Sequence, residues 1–447
     1  MSVKTDNAQI EGENIIDDIS DKSVVEEDPV LAALKAKLAK KEAMPIKIVE
    51  KKTRSIKFGV VGSGQAGARL ASTFYFAGYD AIAFNTASQD LEHIKLPEEN
   101  KYLLQYGLGG AAKEMDIGRE AAETHRDAIN ELIQSKLANC QVFMLCLSLG
   151  GGSGAGSCET MIDIMSNIGK PLIVITVLPM ANDDAQTKRN ALETLSRLSK
   201  EVQSKRIHNL IVVDNAKIES IYSDVSQMDF FEVSNKAIVE PIDVFNTLSS
   251  MPSAVKGLDP MELAKLMTDG GGLTVYGEMT VPNYEEDTAI AEAVINNLNS
   301  GLLAGGFDLK QSRYVGVIIA ANKQVWSKIP SSSVNYAMSM VHDICGTPTG
   351  TFRGIYTIDS NEDSVKVYSM FSGLSLPEAR VEQLKKEVKE SEKIVKNKDE
   401  NRNLSLKIDT GTEENVSAAQ KIKDKIAAKS SAFSKLTQNV ISDRRKK

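Results

Sequence analysis

The 447-residue chain has little of what metal centres and hydrolase triads are made from. Its four histidines, His93, His125, His208 and His342, include no pair at ligand or triad spacing, which argues against zinc and against a Ser/His hydrolase. Its four cysteines, Cys140, Cys146, Cys158 and Cys345, show no metal spacing either. Three of them lie in or near one apolar run and its glycine loop, and all four read as small buried side chains in a reducing cytoplasm. No apolar stretch approaches the ~20 residues of a membrane span, and nothing resembles a signal peptide, so a cytoplasmic location is expected and membrane contact is not. No motif for direct nucleic-acid contact stands out. A P-loop is missing too: Gly62 to Gly67 has the glycine spacing, but Ala68 and Arg69 follow where Lys and Ser or Thr are required. A phosphate site here must rely on backbone amides and a metal.

What is present centres on Val142 to Ser157, VFMLCLSLGGGSGAGS. Val142 to Leu149 is a near-continuous apolar run, the pattern of a strand buried on both faces of a parallel sheet. Five glycines follow within Gly150 to Gly156, and a helical pattern then places Met161, Ile162, Ile164 and Met165 on its apolar positions. Strand, glycine loop and helix N-terminus together suit an anionic phosphate, because the backbone can approach closely and the helix dipole favours negative charge. A flexible linker has similar composition but is not wedged between a core strand and an amphipathic helix.

Similar loops recur. Ile56 to Ala71 reads as strand, glycine turn and helix start, and the next strand, Asp80 to Phe84, ends in Asn85-Thr86-Ala87-Ser88-Gln89-Asp90. A dinucleotide-binding unit expects an acid at the end of that strand to hold ribose, and Asn85 stands there instead, which counts against NAD. Gly107 to Ala112 forms a third glycine loop. Strands Leu172 to Leu178 and Leu210 to Val213 end in Asn182-Asp183-Asp184 and in Asp214-Asn215. Polar or glycine loops at successive strand ends mark the ligand edge of an open α/β sheet.

Asn215 to about Ser250 reads as one long helix that allows an interruption. Gly257-Leu258-Asp259-Pro260-Met261-Glu262 follows, with two acids three apart at a loop-to-helix junction. Helix capping and catalysis both fit that placement. Leu273 to Val281 and Tyr314 to Ala321 read as strands, Thr288 to Leu303 and Val334 to Ile344 as helices, and Thr351 to Ile358 with Val365 to Phe371 as a strand pair, a smaller second α/β domain. From Leu376 the chain reads as a charged helix, loose around Lys396 to Glu414, with a last basic helix at Ser417 to Ser442. Residues 1–28 are acidic and polar and read as disordered, and Leu31 to Met44 suits a short basic amphipathic helix. Lys385 to Lys447 holds 17 Lys and Arg against 10 Asp and Glu, a net of +7, which against −7 for the whole chain leaves −14 for the rest. A basic tail on an acidic body suggests an acidic partner for the tail.

Taken in order, these loops resemble the tubulin/FtsZ superfamily of filament-forming GTPases. GGGSGAGS is similar to its signature loop, GSGQAG to the first loop of tubulin and TubZ, FNTASQD to the second and GLGGAA to the third. Val212-Val213-Asp214-Asn215 resembles the lead into the central helix, and GLDPMELA the catalytic loop, with Gly257 standing where FtsZ often has asparagine. The helical extension and basic tail look most like the TubZ branch. The resemblance implies a parallel-sheet GTP-binding domain over 55–214, a central helix over 215–250, a second domain over 251–373, an N-terminal extension over 1–54 and a helical tail over 374–447. It implies that Gly62, Ser63, Gly64, Gln65, Ala66, Gly67, Gly150, Gly151, Gly152, Ser153, Gly154, Ala155 and Gly156 surround the phosphates of GTP or GDP, and that Asn85 also belongs to the nucleotide site. Gly109, Gly110 and Ala111 would lie near the γ-phosphate, with Mg²⁺ as counter-charge. Asp183 or Asp184 would meet the ribose, Asn215 and Asn235 would read the guanine edge, and Phe231 would stack on the base. Asp259 and Glu262 would enter the pocket of the next subunit in a head-to-tail filament, making hydrolysis depend on assembly. The implied cargo is plasmid or phage DNA, reached through a DNA-binding adaptor on the tail, and the alternative is an FtsZ-like division scaffold.

Overall fold

The computed structural model describes residues 52–226, 228–299 and 306–405. The acidic extension, the Leu31–Met44 helix and the Ser417–Ser442 helix lie outside the described residues. The apolar run beginning at Phe58 forms β1 (Phe58–Ser63), buried along its whole length, and turns directly into α1 (Gly64–Ala77). Gly78 closes α1 in the left-handed conformation, its N–H bonding back to the last turn. β2 (Asp80–Asn85), the short α2 (Ser88–Glu92) and β3 (Lys101–Leu103) complete one wing of the sheet. Helices α3 (Met115–Thr124) and α4 (Arg126–Lys136) then return the chain to the centre, where β4 (Val142–Ser148) feeds α5 (Gly152–Asn167). The other wing follows as β5 (Leu172–Leu178), α6 (Ala185–Gln203) and β6 (Asn209–Asp214).

These six strands are parallel, in the order β3-β2-β1-β4-β5-β6. Strand order reverses between β1 and β4, which is where an open doubly wound sheet binds its ligand, at the carboxyl ends of the strands. The two glycine loops, after β1 and after β4, flank that crevice.

The long helix expected over 215–250 is two helices, α7 (Asn215–Ile221) and α8 (Phe230–Leu248). The N–H groups of Asp229 and Phe230 donate to the carbonyl of Ser226, so a turn at Ser226 starts the second helix afresh. Then come α9 (Pro260–Thr268), β7 (Leu273–Val281), α10 (Ala289–Asn299), β8 (Tyr314–Ala321), α11 (Lys323–Trp326), α12 (Ser331–Cys345), β9 (Gly350–Thr357) and β10 (Val365–Leu374). These strands extend the same sheet, giving ten strands that end β6-β7-β10-β8-β9. The junction is slender: Leu210 opposite Leu273 is the one residue pair joining β6 to β7.

Two expectations are corrected here. β9 and β10 are not paired: β8 lies between them, parallel to β9 and antiparallel to β10. The apolar β10 sits between β7 and β8, and the crossover through α11 and α12 makes the more polar β9 the parallel partner of β8 at the edge. The segment from Lys396 is not loose as far as the description reaches, because α13 (Glu378–Ser405) runs through it unbroken. No Gly or Pro falls between Glu378 and Thr410 to stop it. All four cysteines are buried and free, and burial pushes the Cys158 thiol up to about 12.

Helix α8 fixes the relation of the two ends of the molecule. Its carboxyl end is pinned to the amino-terminal end of β1, where the Asn246 side chain accepts from Ile56 N–H and donates to Ile56 C=O, both at 2.8 Å. Arg54 Nε adds a 2.8 Å ion pair to Asp243, and Tyr79 O–H donates to the same carboxylate at 3.0 Å. Its amino end, at Phe231, lies beside α1 near the ligand edge. Nineteen residues of helix separate these ends by about 28 Å.

Candidate nucleotide site

The loops at the carboxyl ends of the strands are built against one another backbone to backbone. A Cβ on Gly67 would stand 2.1 Å from the Cys146 carbonyl oxygen, so only glycine lets α1 start this close to β4. Gly64 is needed for a second reason, its φ of +71°. Hydroxyls brace the same contact: Ser63 Oγ and Ser157 Oγ lie 2.6 Å apart in the interior, and Thr86 Oγ1 and Ser153 Oγ lie 2.6 Å apart, part-buried, between the second loop and the central one. The third loop is tied in by Gly110 N–H on Thr86 C=O at 2.8 Å, and Ala112 and Lys113 after it both take positive φ. Gln65, Ala66, Gly151, Ser153, Gly109 and Gly110 remain open to solvent at the crevice, while Gly62, Gly152, Gly154, Ala155 and Gly156 are buried behind them.

Asn85 is buried and engaged, donating to Asp90 at 3.1 Å and accepting from Ala87 N–H at 3.3 Å. Gln65 Nε2 donates to the other oxygen of Asp90 at 2.9 Å. Asp183 and Asp184 stand side by side in different states. Asp183 accepts from Met180 N–H at 2.8 Å; Asp184 caps α6 through Thr187 N–H at 2.8 Å and pairs with Lys113. The Lys113 hydrogen bond is the main cause holding the Asp184 carboxyl down to about 2. Asn215 opens α7, directly after Asp214, whose carboxylate accepts from Ala216 N–H at 3.2 Å and from Arg380 Nε of α13 at 2.6 Å. Phe231 and Asn235 are one turn apart on α8 and share a face.

Asp259 and Glu262 are not brought to this crevice. They form a capping box at the start of α9, Asp259 accepting from Glu262 N–H at 2.8 Å and Glu262 accepting from Asp259 N–H at 3.0 Å. Lys256 Nζ is 3.9 Å from Glu262. Their loop follows from the carboxyl end of α8, and Asn209, the first residue of β6, bonds Met267 C=O at 3.1 Å near the end of α9. The glycine loops and the two acids are thus placed by opposite ends of α8.

Two residues at the crevice carry roles that the glycine pattern hides. Arg69, legible only as the residue that breaks the P-loop pattern, lies with its guanidinium carbon 4.4 Å from the Phe231 ring centroid. Lys113 reaches α6 by its side chain and holds Asn190 Nδ2 at 2.8 Å by its carbonyl. Positive φ at a lysine leaves no mark in the sequence.

Comparison with known proteins decides the family. Residues 55–223 match the model of the Tubulin/FtsZ family GTPase domain, and residues 244–385 match that of the C-terminal domain of TubZ-like Tubulin/FtsZ-like proteins. The chain belongs to the tubulin/FtsZ superfamily. It is 26% identical over 324 residues to the tubulin-like protein CetZ of Pyrococcus abyssi, spanning 70% of this chain and 85% of that one. To the tubulin-like protein TubZ of Bacillus cereus it is 22% identical over 352 residues, 72% and 80% of the two chains. The GTPγS-form protofilament of Bacillus thuringiensis serovar israelensis TubZ superposes with a TM-score of 0.69 at 21% identity, covering 79% of this chain and 96% of that chain. The superfamily's GTPase domain therefore covers β1 to α7, and every glycine loop described above falls inside it.

Proposed function

We propose that this tubulin/FtsZ-superfamily chain binds GTP at the β1/β4 crevice and stacks head to tail into filaments, each copy supplying Asp259 and Glu262 to the nucleotide of the next. The observation that carries the reading is the separation of the two half-sites by the length of α8. A lone molecule holds an anion cradle at one end and two carboxylates at the other. Amides of the loops at Gly62 to Gly67 and Gly150 to Gly156 hold the phosphates, Gly109 to Ala111 close over the γ-phosphate, and Asp183 or Asp184 takes the ribose. Asn215 and Asn235 read the guanine edge against Phe231. Among the described residues no group of three acids, histidines or cysteines is placed to cage a metal, so Mg²⁺ would ride on phosphate oxygens and water, its usual habit at nucleotides. The carboxylates of Asp259 and Glu262 orient and polarise the attacking water once a neighbour presents it.

Exposed apolar side chains support the contact. Leu108 and Met228 stand out from the loops at the nucleotide end, and Met251, Val255 and Met261 from the segment around the two acids. GTP turnover per molecule should rise steeply with protein concentration, together with light scattering; turnover independent of concentration overturns the reading. For cargo, the TubZ-like C-terminal domain and the +7 tail favour plasmid or phage DNA gripped through an adaptor protein. Co-sedimentation with an adaptor–DNA complex, and not with anionic vesicles, is the expected result. The reverse result would favour a division scaffold.

A further inference from the structure

The base end of the crevice contains a cation that the proposed reading leaves without a task. Arg69 lies on the second turn of α1, half-buried, with its guanidinium over Phe231. Among the described residues none of its N–H groups meets a hydrogen-bond acceptor, whereas Arg54, Arg119, Arg126, Arg197, Arg206 and Arg380 each donate to a carboxylate. Asp90, the carboxylate whose charge Arg69 feels, already accepts from Gln65 and from Asn85, one on each oxygen. Burial lowers the Arg69 pKa and Asp90 raises it, the balance being downward. This is a half-buried charge with no hydrogen-bonded partner among the described residues, beside the ring on which a base would stack.

We propose that Arg69 is a specificity-determining residue that reads guanine. As a purine settles against Phe231, the guanidinium exchanges its ring contact for the rim of the base and donates its two-pronged fork to O6 and N7. Guanine presents those two acceptors side by side, whereas adenine replaces O6 with an amino donor that the fork opposes. Asn235, one turn beyond Phe231, is left to the opposite edge of the base. The inference rests on the GTP reading of this site and adds the group that selects the nucleotide.

Competition titrations of GTP, 7-deaza-GTP (which lacks the N7 acceptor) and ATP on the full chain test it. The wild-type protein should bind 7-deaza-GTP roughly tenfold or more weakly than GTP, and ATP more weakly still. Arg69→Ala should bind GTP and 7-deaza-GTP alike and lose at least tenfold of its preference for GTP over ATP. Arg69→Lys should keep only part of each preference, because an ammonium on a flexible stem lacks the planar fork that matches both acceptors at once. Equal binding of GTP and 7-deaza-GTP by the wild type overturns the assignment even if the alanine variant fails to fold. So does an unchanged preference in a folded Arg69→Ala protein. A wild-type chain that binds no GTP at all overturns the nucleotide reading itself, and this inference with it.

Discussion

The two ends of α8 are built from different materials. Around its amino end, loops touch through glycine and carbonyl, and under the proposed reading the surface offered to a ligand is N–H groups. Around its carboxyl end, Arg54, Asp243, Tyr79 and Asn246 interlock as side chains, and the segment beyond carries the exposed Asp259 and the half-buried Glu262. A backbone surface suits an anion of fixed shape and has little use for side-chain identity. A side-chain surface can place charge where a second molecule needs it. One chain carrying both ends is an adaptor between copies of itself under the proposed reading.

The largest expected effect tests whether the nucleotide end is the less forgiving one. Arg380→Ala strips a buried Asp214 of its guanidinium partner at the base of the crevice and should cost about 3–5 kcal/mol in denaturant unfolding. The equivalent Arg54→Ala at the far end should cost less, since Asp243 keeps the Tyr79 hydroxyl at 3.0 Å and Lys52 at 3.3 Å. Equal losses would erase the contrast. Next, Asp259→Asn keeps an N-cap but removes the charge, so GTP turnover should fall about 10²-fold while the melting temperature holds and filaments persist. A variant that hydrolyses like wild type would leave the acids as caps alone. Gly67→Ala forces a methyl group onto the Cys146 carbonyl and should cost about 1–3 kcal/mol, with weaker nucleotide binding in the same titration.

The smallest effect concerns Asp184. Lys113 and the cap hold its carboxyl at about 2, below the ordinary 3.8, so the pair's stabilisation is complete above about pH 4 and is lost as the pH falls through about 2. Both side chains are half exposed, so screening keeps the contribution under about 1 kcal/mol. The stability difference between wild type and Asp184→Asn, which retains the cap, should close over that range in melts at graded pH.

Much of this was legible in the residues because it is local. A short apolar run rich in β-branched residues reads as a buried strand, and β8 falls on Tyr314–Ala321 as the pattern reads. The order of glycine loops along the chain carried the family and its GTPase domain. Pairing was not legible: nothing in the β9 and β10 segments says whether they neighbour each other or β8, and the choice lies in a crossover, not in either strand. An interruption of the long helix was allowed by the sequence, but its place at Ser226, between α7 and α8, was not.

The sequence by itself determined the parallel sheet, its glycine-lined edge and the types of residue gathered there, because period, turn chemistry and spacing act within a few residues. Tertiary structure decided what no local pattern contains. It put Arg69 over Phe231, Lys113 against Asp184 and Asp214 under Arg380, and it kept Asp259 and Glu262 away from the crevice. Those relations join residues far apart in the chain, and only the packing of α1, α6, α8 and α13 around one sheet fixes the distances between them.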